Sequence, residues 1–115
     1  MPKKTPKHWW KTLDGDDVSE AYDEATVDCY GDEVIGALIE MTMQELETPF
    51  KGKVLGLVVD VVDVATASTT NNDLDFICDV DGNRFPVAAR SVELSKPYPD
   101  GHLLLAALFD YQSRC

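Results

Sequence analysis

The run from Lys53 to Val64 constrains the fold of this chain more than any other stretch. From Val54 onward it consists of Val and Leu, interrupted only by Gly56, Asp60 and Asp63. Branched apolar side chains pack well on a pleated sheet and are less favourable in helices. The run therefore predicts a long strand that is buried on much of both faces. Two acids three residues apart cannot both point out of an unbroken pleat, so a bend or bulge is expected here.

A hairpin is predicted after this strand. Residues 74–80 alternate between apolar and mostly acidic side chains, as in a half-buried strand. The pair Asp81-Gly82 is typical of a two-residue hairpin turn and leads into residues 83–88. This pairing would place Arg84 opposite Asp79 as an exposed cross-strand ion pair. Residues 91–94 predict a short fourth strand.

Two stretches have the helical period. From Asp32 to Glu47 apolar residues recur mostly every three or four positions, and Thr48 before Pro49 marks the end. Residues 102–112 carry a similar apolar stripe. Between Asp14 and Asp17 a turn is expected. We predict an α+β fold, in which a small antiparallel sheet with SH3-like or barrel-like curvature packs with an N-terminal and a C-terminal helix.

The length of the chain predicts one domain preceded by an arm. At 115 residues a second domain is not expected. Residues 1–13 hold four lysines, no acid and no apolar period, which predicts a flexible basic arm. Trp9 and Trp10 are the exception, because adjacent indoles point to opposite sides, and one is expected to dock while the other stays wet. Residues 14–115 form the single acidic α+β domain.

Negative charge is concentrated in one segment. Of the 21 Asp and Glu, twelve lie between Asp14 and Phe50, where there is no Lys or Arg, and the net charge is −11. This field argues against nucleic-acid binding, which depends on neutralising phosphates. No apolar run has the length of a membrane span. The odd number of cysteines, at no metal-binding spacing, indicates free thiols in a cytoplasmic protein; they are Cys29, Cys78 and Cys115.

The sequence offers metal ligands but no catalytic set. His8 lies in the arm and His102 at the start of the last helix, so no nucleophile, base and orienting group can be assembled, and we predict a non-enzyme. The glycines are scattered and form no phosphate loop. What the chain supplies is a surplus of carboxylate oxygens, which Ca²⁺ binds in sets of six to eight with forgiving geometry. From composition alone, metal binding and plain solubility are equal alternatives.

A resemblance to a known family favours metal binding over plain solubility. The chain resembles the small acidic calcium-binding proteins of the CcbP family, described from cyanobacteria, over roughly residues 25–112. The resemblance implies a bacterial Ca²⁺-binding protein without EF-hands, built from a helix and a small barrel-like sheet. It rests on four segments in matching order: Asp28-Cys29-Tyr30-Gly31-Asp32-Glu33, Glu45-Leu46-Glu47-Thr48-Pro49-Phe50, Val54-Leu55-Gly56 and Ile77-Cys78-Asp79-Val80-Asp81-Gly82.

Five residues are candidate metal ligands. Asp28, Asp32 and Glu33 match the acidic motif of that family, and Asp60 and Asp63 are added from the strand. Acids at the start of a helix are also expected from capping and the helix dipole alone, so that local explanation stays open.

A second function remains open. A non-catalytic interaction module could use the acidic face to meet a basic protein partner, with the two tryptophans as anchors. Apolar helix faces could equally meet a second copy of the chain.

Overall fold

The computed structural model describes residues 8–31, 33–66 and 73–113. Three α-helices and five strands follow one another, with short 3₁₀ helices before α1 and before the last strand. In chain order the elements are the 3₁₀ helix Trp9–Thr12, α1 (Gly15–Ala25), α2 (Glu33–Glu45), β1 (Phe50–Val54), β2 (Leu57–Thr66), β3 (Leu74–Val80), β4 (Asn83–Ala88), the 3₁₀ helix Ala89–Ser91, β5 (Glu93–Leu94) and α3 (His102–Ser113).

The strands form one antiparallel sheet in the order β4-β3-β2-β1-β5. The first four strands run as a meander, and β5 returns to the free side of β1, where Gly52 lies opposite Leu94. The sheet is open, with β4 and β5 at its edges. The predicted α+β class, with helices flanking a small antiparallel sheet, is confirmed.

The predicted long strand is in fact a hairpin. Leu55 and Gly56 have φ of 51° and 81°, the left-handed values that a two-residue hairpin turn requires. The prediction was wrong here because the first turn position holds leucine, whereas Asn or Asp before Gly is the usual sequence mark of such a turn. The predicted bulge is confirmed, since the β2–β3 register shifts between Val61 and Asp63. The shift leaves Asp60 and Asp63 both exposed.

The helices also depart from prediction at their ends. The expected turn at Asp14–Asp17 is the start of α1, because the Asp14 side chain accepts a hydrogen bond from the Asp16 N–H at 2.8 Å and caps the helix. At the other boundary, α2 ends at Glu45, two residues before the predicted end. The Glu47 N–H then donates to the Asp100 carbonyl at 2.8 Å, which ties the end of α2 to the start of α3.

The core lies between the helices and one face of the sheet. Leu38 of α2, Leu105 and Leu108 of α3, and Val61 and Phe76 of the sheet have no exposed surface. Helix α3 contacts both α1 and α2. Burial of such side chains contributes roughly 1.5–3 kcal/mol each, so this shared core holds the two layers together.

The described part of the predicted arm packs on the domain. Trp9 is only 5% exposed, and its ring lies 5.5 Å from Tyr98 and 6.3 Å from Phe109. Trp10 is half-buried and stacks on His8 at 5.7 Å. One indole is therefore docked and its neighbour is partly wet, as expected. Residues 1–7 lie outside the described residues.

Candidate cation-binding surface

The acidic segment forms one exposed surface on α1 and the turn that follows it. Along α1 the apolar positions, Val18, Ala21, Tyr22 and Ala25, recur at helical spacing and are turned away from solvent. The acids between them are all exposed. We call this the helical acidic surface, and it comprises Asp16, Asp17, Glu20, Asp23, Glu24, Asp28 and Glu33.

No cation of the described residues pairs with the helical acidic surface. Three ion pairs occur among residues 8–31, 33–66 and 73–113: Lys51 with Asp60, Arg84 with Asp79, and Arg90 with Asp73. All three involve the sheet or the residues flanking it. Close like charges without counter-charges repel one another, so the helical acidic surface attracts cations from solution.

Asp28 and Glu33 bracket the tight turn between α1 and α2. Asp28 has φ of 62° and Gly31 has φ of 59°, so the chain reverses through two left-handed residues. Asp tolerates this region better than most side chains. The carboxylates of Asp28 and Glu33 are exposed and make no hydrogen bond to another described residue. Both are thus free to bind a cation, whereas the third candidate at this turn, Asp32, lies outside the described residues.

Asp60 and Asp63 lie on β2 and already have partners. The Asp60 carboxylate is 3.0 Å from the Lys51 Nζ, and an Asp63 oxygen accepts a hydrogen bond from the Val64 N–H at 2.8 Å. Within the part of the chain that the structure describes, no three His, Cys, Asp or Glu side chains come together as a metal-binding group. The four described candidates are therefore not assembled into one site.

A row of four charges crosses the sheet instead. Lys51 lies opposite Asp60, Asp60 opposite Asp79, and Asp79 opposite Arg84, so β1 to β4 carry the sequence plus, minus, minus, plus. Two acids directly opposite each other are destabilising. The flanking cations at 3.0 and 3.4 Å offset that repulsion. The predicted Arg84–Asp79 pair is confirmed. The Lys51–Asp60 pair was missed because the predicted strand began after Lys51.

An acidic groove of about 510 Å³ lies between α1, α2 and the start of α3. Its lining combines apolar side chains, such as Met41 and Leu104, with the carboxyl groups of Glu24, Glu45 and Asp100. A cationic ligand with an apolar side would meet complementary groups here.

The sequence also singled out a histidine, the cysteines and the tryptophan pair. The His102 ring stacks on Tyr98 at 5.0 Å, and its Nδ1 lies 2.9 Å from the Pro99 carbonyl. Cys29 and Cys78 carry free thiols, and Cys115 lies outside the described residues. Trp9 is buried and so is not an exposed anchor for a partner, contrary to the sequence-based expectation.

Comparisons of the chain with protein-family models, with curated proteins and with solved structures find no match. None of the helices in the described ranges is long and apolar enough to cross a membrane.

Proposed function

We propose that this protein is a non-catalytic, cytoplasmic Ca²⁺-binding protein whose site is centred on Asp28, Asp32 and Glu33. The observation that carries the proposal is the helical acidic surface, which is exposed and lacks counter-charges among the described residues. The resemblance of this turn to the acidic motif of the CcbP family supports the same position.

The chemistry of the turn fits Ca²⁺ better than Mg²⁺. Asp28 and Glu33 supply hard, unengaged oxygens, and their exposure lets water complete the coordination shell. Mg²⁺ demands near-ideal octahedral geometry, which an open turn does not impose. An exposed site without a rigid cage should bind weakly, with a dissociation constant on the order of 10⁻⁴ M. Asp60 and Asp63 form a secondary candidate, because Asp60 would first have to release Lys51.

Calorimetric titration with Ca²⁺ at physiological ionic strength tests this site. We expect saturable binding to the wild type and clearly weaker binding to the double variant Asp28→Asn, Glu33→Gln. The matched control is Asp81→Asn, Glu93→Gln, which removes the same charge from exposed positions on the sheet side. Asp81 is a close match for Asp28 because both have positive φ, 53° and 62°. Equal loss in both double variants would mean that only net charge matters.

A second candidate function is recognition of a basic protein segment by the acidic groove. The specific observation in its favour is the combination of apolar lining and acidic side chains at Glu24, Glu45 and Asp100. An amphipathic peptide of Lys and Leu, titrated in EDTA, would bind and be weakened by Glu45→Gln if this function holds. A flat titration in EDTA together with a saturable Ca²⁺ titration would leave calcium binding alone.

A further inference from the structure

A second groove, along β1 and beside the segment that follows β5, carries positive charge. It has a volume of about 660 Å³, within the range of ligand sites in proteins. Strand β1 forms one wall and residues 95–99, between β5 and α3, form the other. The lining includes Phe50, Lys53, Val58, Lys96 and Tyr98.

Buried aromatic rings hold the two aromatic residues of this groove in place. Phe50 meets Phe76 edge-on at 5.5 Å, and Phe76 has no exposed surface. Tyr98 is contacted by Trp9 at 5.5 Å and by His102 at 5.0 Å. Because these rings are fixed before any ligand arrives, an apolar group that settles on them does not have to order them.

Lysines are gathered at this groove in a protein of strongly negative charge. Lys51, Lys53 and Lys96 line it, with Glu47 as the acid among its described lining residues. Lys51 is paired with Asp60, but Lys53 and Lys96 form no ion pair with a described residue. Glu93 lies opposite Lys53 on β5 and offsets part of its charge, so Lys96 and the remaining charge of Lys53 are available to an anionic ligand.

Apolar surface is exposed beside the unpaired lysines. Val58 lies directly opposite Lys53 across β1 and β2, and its side chain is 52% exposed. At the tip of the same hairpin Leu55 is fully exposed. A leucine with positive φ is strained, at roughly 1 kcal/mol, and no burial of the Leu55 side chain within the domain offsets that cost.

We propose that the β1 groove docks an acidic peptide segment of a partner protein that carries an apolar or aromatic side chain. Apolar parts of the segment rest on Phe50 and Tyr98, on the helix side of β1, and on Val58, on the outer face of the sheet, and the carboxylates face Lys53 and Lys96. Charge complementarity selects the acidic partner. The concave shape favours a chain segment over a flat lipid surface.

Heteronuclear NMR of the full-length chain tests the proposal. The probe is a short synthetic peptide in which Asp and Glu alternate with Leu and Phe, and the control peptide replaces the acids with Asn and Gln. EDTA is present, so calcium binding cannot contribute to the result. The expected result is saturable shifts of amide resonances in residues 50–53 and 95–99 with the acidic peptide only. No saturation up to about 1 mM, equal binding of the control peptide, or shifts confined to other residues would overturn the proposal.

Three substitutions identify the groups that bind. We expect Lys53→Gln and Lys96→Gln each to weaken binding of the acidic peptide about two- to fivefold, as for exposed ion pairs. Val58→Thr, which keeps the branched shape, should weaken it about twofold or more. The control is Lys11→Gln, a lysine that lies over Trp10, away from the groove lining. An equal loss in Lys11→Gln would show that only the overall field acts, and this too would overturn the proposal.

Discussion

Acidic residues have basic partners at two positions on the sheet, but none on the helical acidic surface among the described residues. On the sheet, Asp60 and Asp79 face each other, and each has a basic partner on the next strand. On α1 and the turn after it, the acids lie at helical spacing with no basic partner among the described residues. Asp60 and Asp79 are therefore part of what holds these strands in register. Acids of the helical acidic surface beyond the first turn of α1 repel one another without a compensating cation among the described residues.

The end of α2 meets the start of α3 at one tight junction, and breaking it should have the largest effect. Gly101 has φ of 90°, and an added Cβ would lie 2.6 Å from the Glu45 carbonyl oxygen and 2.7 Å from the Leu46 Cα. Neither backbone atom can yield cheaply, so Gly101→Ala should lower the free energy of unfolding by about 2–3 kcal/mol or more. Urea denaturation measures it.

The matched control for this change is Gly36→Ala. Gly36 lies within α2, and an added Cβ meets nothing within 4 Å. Alanine should stabilise the protein there by roughly 0.5–1 kcal/mol. Loss of stability in both variants would mean that α2 does not tolerate any added side chain, rather than that the junction is tight.

Neutralising one acid in each layer should change stability in opposite directions. Asp79→Asn loses the Arg84 partner, which outweighs the relieved repulsion with Asp60, and should cost about 0.5 kcal/mol. Asp23→Asn removes an unpaired acid near the C-terminal end of α1, where the helix dipole disfavours negative charge, and should stabilise by about 0.3–0.5 kcal/mol. Denaturant midpoints of both variants at low salt test this. The same sign in both would contradict the difference between the layers.

The cysteines give the smallest effect. Burial raises the pKa of the Cys78 thiol, so the folded state keeps its proton to higher pH than the unfolded chain, whose thiol ionises near pH 8.5. The contribution of the Cys78 thiol to stability is full below about pH 8.5 and declines as the pH rises towards the raised pKa.

At neutral pH, half-buried Cys29 should react with a thiol reagent before Cys78, which has no exposed surface. Equal rates would indicate that β3 opens readily.

Local patterns in the sequence predicted the larger part of the fold. The apolar period of α2 and α3, the Asp81-Gly82 hairpin and the bulge near Asp63 are all determined by neighbouring residues. The Leu55-Gly56 turn was missed because leucine is an unusual choice at a turn position with positive φ. Gly52 was missed as a contact because β5 is distant in sequence: an added Cβ would lie 2.5 Å from a methyl group of Val92.

The site was less predictable than the fold. Which acids lack partners depends on where the basic residues lie in three dimensions, and sequence spacing does not give this. Lys51 belongs to Asp60 only through the β1–β2 register. The sequence already showed the acidic segment, whereas the lysines of the β1 groove come together only once the chain is folded.

The most direct test of the central claim is the shift of the thermal midpoint by Ca²⁺ over EDTA at constant ionic strength. A ligand bound only by the folded state, at about 100 times its dissociation constant, stabilises by about 2.7 kcal/mol. We predict a rise of several degrees for the wild type and for the Asp81→Asn, Glu93→Gln control, and little or none for Asp28→Asn, Glu33→Gln. An unchanged shift in Asp28→Asn, Glu33→Gln would contradict calcium binding at the turn between α1 and α2.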